Sequence, residues 1–201
     1  MTANYLRRIV HASGSLIPGA YLAGLVTWDS IRLLLAAGAF LAVVLEVLRL
    51  RAGLDWAIYD RLTRDYEQET VAGYALAVIA GAIVGWVFPP TVAVAALLML
   101  TIGDPFSGLL GDVDDVEDRP AWWVMVAMFL VCSSIGLVLL PPRAAVAAGV
   151  VAVVADATKP RVYGYVIDDN FSIPIGAAVA AWVAVTFVPP ILCSSACLPG
   201  L

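Results

Sequence analysis

The chain has 201 residues, of which 62% are hydrophobic and only 13% are charged, and its mean hydropathy is +0.95. A soluble globule of this size needs more polar surface than this composition supplies, so the composition predicts an integral membrane protein. A net charge of -5 without a long basic patch argues against nucleic acid as a partner. Because no polar stretch is long enough to fold separately, we expect residues 1–201 to form a single integral membrane domain.

Seven apolar runs predict an all-α polytopic membrane protein with about seven transmembrane helices. The runs are Leu16–Trp28, Ile31–Leu48, Val71–Phe88, Thr91–Ile102, Trp122–Leu140, Ala144–Ala155 and Ile173–Val188. Two of them, beginning at Thr91 and Ala144, are short for a crossing, which takes about 20 residues. Their polar ends at Asp104 and Asp156 should therefore be drawn into the bilayer. Their Ala, Val and Gly content predicts interior helices.

The distribution of Lys and Arg predicts the orientation of the chain. With the N-terminus in the cytoplasm, nine of the 11 basic residues fall on the cytoplasmic side, and only Arg32 and Arg143 fall outside. The same orientation places nearly all carboxylates on the cytoplasmic face and the C-terminus outside. We therefore expect a protein of the cell (plasma) membrane whose active face is cytoplasmic.

Two polar segments between the apolar runs are expected to lie outside the membrane core. In the first, Arg49–Thr70, apolar residues recur at helical spacing, which predicts an amphipathic helix at the interface. The second, Asp112–Asp118, is a block of like charges and is predicted to be a solvated loop.

The strongest candidate site is the stretch Asp156–Ile175, which contains the only lysine of the chain, Lys159, and an acidic cluster at Asp168–Asn170. Carboxylates at the rim of a bilayer are costly unless they line water, pair or hold a cation. Carboxylate and amide oxygens are also the ligands that Mg²⁺ uses when it holds substrate phosphates. The cluster therefore predicts a magnesium and nucleotide site.

A structural alternative exists for part of this stretch. Asn170 and Ser172 are residue types that cap helices, and Pro174 would then fall in the first turn of the helix that follows. This alternative does not explain two aspartates next to a lone lysine.

Three further groups on the cytoplasmic side are candidates for chemistry. Glu46 and Arg49 are three residues apart, so they share one helix face, either as a salt bridge alone or with Arg49 contacting a phosphate that Glu46 helps to orient. The Gly-Asp-Pro sequence at Gly103 begins a small-residue stretch in which the backbone can approach a ligand closely. His11 follows Arg7 and Arg8 at helical spacing, so the three side chains can share one helix face. They either present positive charge to an anion or only set the orientation of the first span.

Four motifs, in order along the chain, resemble a known family. They are Arg7–His11 (RRIVH), Glu46–Arg49 (EVLR), Gly103–Gly111 (GDPFSGLLG) and Asp168–Ile175 (DDNFSIPI). Together they resemble the dolichol kinase and phytol kinase relatives, which are CTP-dependent polyprenol kinases, and the Gly-Asp piece is shared with membrane cytidylyltransferases. The resemblance implies CTP-dependent transfer of a phosphoryl group, with Mg²⁺, to the hydroxyl of an isoprenoid alcohol of the dolichol, polyprenol, phytol or geranylgeraniol type.

The chain departs from this family in one motif. Many relatives carry a Lys-Thr-x-Glu-Gly type sequence after the Gly-Asp loop, whereas Asp112–Pro120 contains neither a lysine nor that glycine. Three explanations stay open: Lys159 takes over the phosphate contact, the donor differs, or activity is lost.

The interpretation assigns a role to each candidate residue. Asp104 with Asp168 or Asp169 holds the metal, Asn170 completes the shell, and one of the aspartates accepts the proton of the alcohol. Lys159 and Arg49 neutralise phosphate charge. The further candidates for nucleotide or phosphate contact are Arg161, Gly103 and Ser107, and the remaining candidate site residues are His11, Glu46 and Asp156.

Two other functions compete with a lipid kinase. A membrane cytidylyltransferase would join CTP to a lipid phosphate at the same metal site. A transporter is disfavoured, because the sequence shows no inverted repeat and its polar residues gather at one face rather than at the midplane. A purely structural scaffold would leave Asp104 and Asp156 without a role. Lipid chain length, donor base and oligomeric state are not determined by the sequence.

Overall fold

The computed structural model describes residues 2–53, 56, 63, 67–111, 120–158, 161–162 and 165–189. The helices are α1 (Thr2–Ser13), α2 (Leu16–Leu22), α3 (Trp28–Ala52), α4 (Gly73–Val87), α5 (Pro90–Leu98), α6 (Asp104–Leu110), α7 (Trp122–Leu139), α8 (Pro142–Ala157) and α9 (Asp169–Phe187). A π-helical turn, Met99–Gly103, joins α5 to α6. The two-residue strands β1 (Arg161–Val162) and β2 (Tyr165–Val166) pair in antiparallel fashion, with Arg161 opposite Val166. The predicted all-helical fold is confirmed, apart from this short pair.

Four helical segments within the described ranges are long and apolar enough to cross a membrane. They are α3, the continuous stretch Pro90–Leu110, α7 and α9. This finding confirms the prediction of a helical membrane protein. The run Leu16–Trp28 does not form one helix, because α2 ends at Leu22 and Gly24 turns the chain at φ 69° before α3 begins. Its seven residues rise only about 10 Å, too little for a crossing by α2 alone.

Helices α5 and α8 were both predicted to be interior. Every residue from Val92 to Leu97 in α5 is buried, in agreement with that prediction. Helix α8 buries one face, which includes Ala145, Ala148 and Gly149, but exposes Val146 and Val150 on the other. The prediction therefore holds for α5 and only for one side of α8.

Small residues bring α7 and α8 into close contact. A Cβ added to Gly136 would lie 2.9 Å from the Cα of Ala145, and one added to Gly149 would lie 2.5 Å from the Oγ of Ser133. Small side chains let helix backbones approach closely in membranes, where van der Waals packing replaces the hydrophobic effect as the driving force.

The two arginines predicted to lie outside the cytoplasm bind the last turns of neighbouring helices. The Nε of Arg32 donates to the carbonyl of Gly85 at 3.0 Å, and the Nε of Arg143 donates to the carbonyl of Ala184 at 3.0 Å. Carbonyls in the last turn of a helix lack intrahelical partners and carry partial negative charge. These arginines therefore stabilise the C-terminal ends of α4 and α9.

Helix boundaries differ from the prediction at two motifs. The segment after Gly103, which the sequence placed beyond the fourth apolar run, is helical, since the π turn continues directly into α6. At the other motif, Asp168 is the N-cap of α9, and its side chain accepts from the backbone N–H of Asn170 at 3.0 Å. Capping by Asn170 or Ser172 was therefore wrong, and Pro174 lies inside the helix rather than in its first turn.

Two predicted features fall largely on parts of the chain that lie outside the described residues. The amphipathic helix expected after Arg49 is one, although residues 49–52 belong to the end of α3. The acidic loop Asp112–Asp118 is the other.

The close packing of α7 on α8 leads to a stability prediction. We expect Gly136→Ala to lower the unfolding free energy by about 1–3 kcal/mol, because the new methyl group meets backbone rather than a flexible side chain. Gly19→Ala is the control, since a Cβ there meets nothing within 4 Å. Thermal unfolding in detergent measures both, and equal melting temperatures for the two variants would contradict this account of the interface.

Candidate functional site

Three carboxylates from three helices meet in the interior of the bundle. Asp104 begins α6, Asp156 lies in the last turn of α8, and Asp169 begins α9. One oxygen of each lies within 4.8 Å of the other two. Asp169 is only 2% exposed, and Asp104 and Asp156 are partly buried. We call these three residues the acid cluster.

The local structure explains why Asp104 reaches the acid cluster from within a continuous helix. The π turn before it adds a residue to the turn and so changes the face on which the following side chains emerge; such turns recur at functional sites. Gly103 fits against α7, since a Cβ there would lie 2.6 Å from the Sγ of Cys132. On the other side, Ser107 donates through Oγ to the Oδ2 of Asp156 at 2.8 Å. These contacts hold α6 and α8 in register at the acid cluster.

The acid cluster fits a divalent cation. Magnesium binds oxygen at about 2.0–2.1 Å in octahedral geometry, so oxygens of one shell lie within about 4 Å of each other. The three oxygens lie within 4.8 Å of one another, so a modest inward movement of the side chains would place them in one such shell. Like charges at this distance among apolar helices repel strongly unless a cation or basic groups neutralise them. Asp104, Asp156 and Asp169 are therefore the residues that would hold Mg²⁺.

Asp168 and Asp169 are neighbours with different surroundings. Asp168 caps α9, and its Oδ1 also accepts from the Nδ2 of Asn170 at 2.6 Å. Gly73, at the start of α4, packs on this arrangement, because a Cβ there would lie 2.7 Å from the same Nδ2. Of the two aspartates that were candidates for the metal, the structure brings Asp169 into the acid cluster and places Asp168 in the cap.

A cavity of about 270 Å³ opens at the acid cluster, and α1 forms its basic wall. Arg7, Arg8 and His11 all line it, so they share one face of α1, as their spacing predicted. His11 Nδ1 lies 3.3 Å from the Oδ2 of Asp104. Arg8 lies across Gly108, where an added Cβ would be 3.0 Å from its Nε. The absence of a side chain at Gly108 lets the guanidinium lie close to the backbone of α6.

Arg49 lies in a different environment from the one that a phosphate contact requires. Its Nε and Nη2 bind the carboxylate of Glu46 at 3.0 and 2.7 Å, and its other contacts are the carbonyls of Glu67, Gln68 and Thr70. Glu46 also accepts from the backbone N–H of Ala72 at 3.0 Å and from the hydroxyl of Tyr74 at 2.6 Å. This network ties the segment before α4 to the end of α3, so the salt-bridge alternative is the one that the structure supports.

The remaining predicted residues divide by position. Ser107 and Asn170 line the cavity with the acid cluster. The smallness of Gly103 is explained by its contact with Cys132. Lys159 lies outside the described residues, and the structure describes only the backbone of Arg161, in β1.

Sequence reasoning missed one contributor to the site and gave a minor place to two others. Glu67, which is 3% exposed and lines the cavity, was not a candidate, and Arg8 was considered only together with His11, as charge for an anion or for topology alone. Asp156 was a further candidate without a metal role. A signal for Asp156 exists in the sequence: residues 89–104 (PPTVAVAALLMLTIGD) and 141–156 (PPRAAVAAGVVAVVAD) are identical at seven positions, and both segments end in an aspartate of the acid cluster.

Comparison with known proteins gave no relative: no family model, no curated protein and no solved structure matches this chain.

The geometry of the acid cluster predicts metal binding. We expect Asp156→Asn and Asp104→Asn each to weaken Mn²⁺ binding by roughly tenfold or more, because each removes one charged oxygen ligand. Asp29→Asn is the control, since that carboxylate is 85% exposed and lies at the start of α3. Mn²⁺ titration of the detergent-solubilised protein, followed by electron paramagnetic resonance, measures the affinities. Unchanged affinity in Asp156→Asn would remove this residue from the site.

Proposed function

We propose that this protein is a membrane-embedded phosphotransferase, a CTP-dependent lipid kinase that phosphorylates the hydroxyl of an isoprenoid alcohol. One observation carries the proposal: three carboxylates converge in a cavity that the basic residues of α1 also line and whose remaining lining is mostly apolar. Phosphoryl transfer depends mainly on positioning and on neutralising charge, and this arrangement supplies both. The motif resemblance supplies the choice of nucleotide and acceptor.

In this proposal the acid cluster binds the metal ion and α1 binds the phosphates. Asp104, Asp156 and Asp169 would hold Mg²⁺, which when bound supplies positive charge next to the transferred phosphoryl group. Arg7 and Arg8, which line the same cavity, bind phosphate oxygens, whose geometry a guanidinium fork suits. The alcohol oxygen attacks the γ-phosphorus, the bond to CDP breaks, and an aspartate of the cavity accepts the alcohol proton.

The proposed topology places the nucleotide on the cytoplasmic side. Helix α3 ends with Arg49 and Arg51, which favour the cytoplasmic face under the positive-inside rule. We propose that α1 and α2 together make the first of about seven crossings, since they run nearly continuously from Thr2 to Leu22. The N-terminus then lies in the cytoplasm, the protein resides in the cell membrane, and CTP reaches the cavity from inside the cell.

A membrane cytidylyltransferase is the second candidate. The Gly-Asp piece that the resemblance shares with those enzymes lies within the candidate site, since Asp104 belongs to the acid cluster. Such an enzyme would join CTP to a lipid phosphate and release pyrophosphate, whereas the kinase releases CDP. The products therefore distinguish the two functions.

An activity assay tests the proposed function. We expect the purified protein, given labelled CTP, Mg²⁺ and isoprenoid alcohols from geranylgeraniol to dolichol, to form phosphorylated lipid and CDP. Assays with the other three nucleoside triphosphates establish which donor is used. Lipid phosphate as the acceptor with pyrophosphate as the product would favour the cytidylyltransferase. No phosphorylated lipid with any donor would reject the kinase.

The different positions of Asp168 and Asp169 predict different effects of the same substitution. Asp169→Asn removes a charge from the acid cluster and should lower kcat by roughly a hundredfold or more. Asp168→Asn keeps a side-chain oxygen for the cap, and Asn caps helices about as well as Asp, so we expect kcat to fall by only about a few fold. Steady-state kinetics with matched thermal unfolding measures both. Equal losses in two folded variants would contradict the separation of the two roles.

A further inference from the structure

The cavity extends beyond the acid cluster into an apolar part that the phosphate chemistry does not use. Its walls come from α2, α3, α4, α5 and the π turn. We call this part the apolar limb, and the residues that line it are Ile17, Leu35, Val78, Gly81, Leu97 and Leu100.

The apolar limb runs along the helices, away from the charged end of the cavity. Leu97 precedes Asp104 by seven residues, which places it about 10 Å along the helix from the acid cluster. Gly81 lies eight residues after Gly73, about 12 Å along α4. Leu35 and Leu97 are 6% and 5% exposed, so protein encloses the limb at this depth.

The cavity also borders the apolar outer surface of the protein. Val10 on α1 lines the cavity and is 48% exposed, and its neighbours Leu6 and Ile9 are exposed at 41% and 55%. A ligand that enters beside Val10 meets an apolar surface before it reaches Arg8 and the acid cluster. The cavity is thus charged at one end and apolar at the other, and it borders the exposed apolar surface around Val10.

We propose that the apolar limb binds the isoprenoid chain of the acceptor, with its hydroxyl at the acid cluster. This inference rests on the proposed function and adds the location of the chain and the residue that limits its passage. The phosphates and ribose hydroxyls of a nucleotide find no hydrogen-bond partners in apolar walls, and water in an apolar cavity lacks polar partners. A hydrocarbon chain fills such a cavity favourably, and its attached hydroxyl would lie near the metal ligands.

Gly81 sets the width of the limb. A Cβ at this position would lie 3.4 Å from the Cδ2 of Leu97 and 3.5 Å from the Cδ2 of Leu35, which is ordinary contact. Alanine therefore fits without displacement, and a larger side chain occupies space that the chain of the acceptor would use. Gly176 in α9 is the control, because a Cβ there would lie 2.8 Å from the Cγ1 of Val151 and neither residue is part of the cavity wall.

Chain-length kinetics test the inference. We expect Gly81→Val to lower kcat/KM for geranylgeraniol by at least about tenfold, while kcat/KM for prenol, a single isoprene unit, and KM for CTP change by less than about twofold. Gly81→Ala should show the same trend more weakly, and it serves as the test if the valine variant does not fold. Gly176→Ala should alter stability without altering chain-length preference. An unchanged preference in both Gly81 variants would overturn the inference.

Photo-crosslinking separates failure of this inference from failure of the proposed function. A diazirine analogue of geranylgeraniol should label wild-type peptides that contain Ile17, Leu35 or Val78, and excess geranylgeraniol should compete with it. Competed labelling of these walls without any phosphoryl transfer would keep the lipid site and reject the kinase. Transfer without labelling of these walls would keep the kinase and reject the site. Equal labelling by a diazirine phospholipid, uncompeted by geranylgeraniol, would show a bilayer lipid in the limb and reject the inference.

Discussion

Three carboxylates lie within 4.8 Å of one another in a bundle whose buried residues are otherwise mostly apolar. Their mutual repulsion is the constraint to which the rest of the site responds, because charges in such surroundings must be neutralised. Arg7, Arg8 and His11 supply positive charge or hydrogen bonds from α1. A divalent cation would supply the rest, and its place between acidic and basic walls is where the phosphates of a nucleotide would also lie.

The buried network around Glu46 has a supporting role in this arrangement. Arg49 and Glu46 hold the segment before α4 against the end of α3, through contacts to Thr70 and Ala72. That segment leads directly to Gly73, whose lack of a side chain leaves room for Asn170. Asn170 in turn binds the cap residue Asp168. The salt bridge at the end of α3 thus acts on the acid cluster through packing.

Composition and apolar runs predicted the helical membrane fold, because hydropathy depends on residue type alone. They located α3–α5 and α7–α9 but not α6, nor the break after Leu22, which depends on the turn at Gly24. The candidate site was predicted in part: Asp104 and Asp169 follow from motif positions. The different roles of Asp168 and Asp169 do not follow from motif positions, since they depend on which of two adjacent side chains caps α9. Likewise, the π turn before Asp104 is decided by packing against Cys132 rather than by local propensity.

The internal repeat gives a physical reason for the meeting of Asp104 and Asp156. In each copy a Pro-Pro pair starts a helix, and the aspartate follows the second proline by 14 residues, so each helix rises about 21 Å before its carboxylate. Helices of equal length that start at one level deliver their carboxylates to one depth. The copies then diverge, since the first continues through the π turn into α6 while α8 ends at Ala157. The continuation into α6 places Ser107 in contact with Asp156 and Gly108 in contact with Arg8. These contacts next to the acid cluster exist because only the first copy continues as a helix.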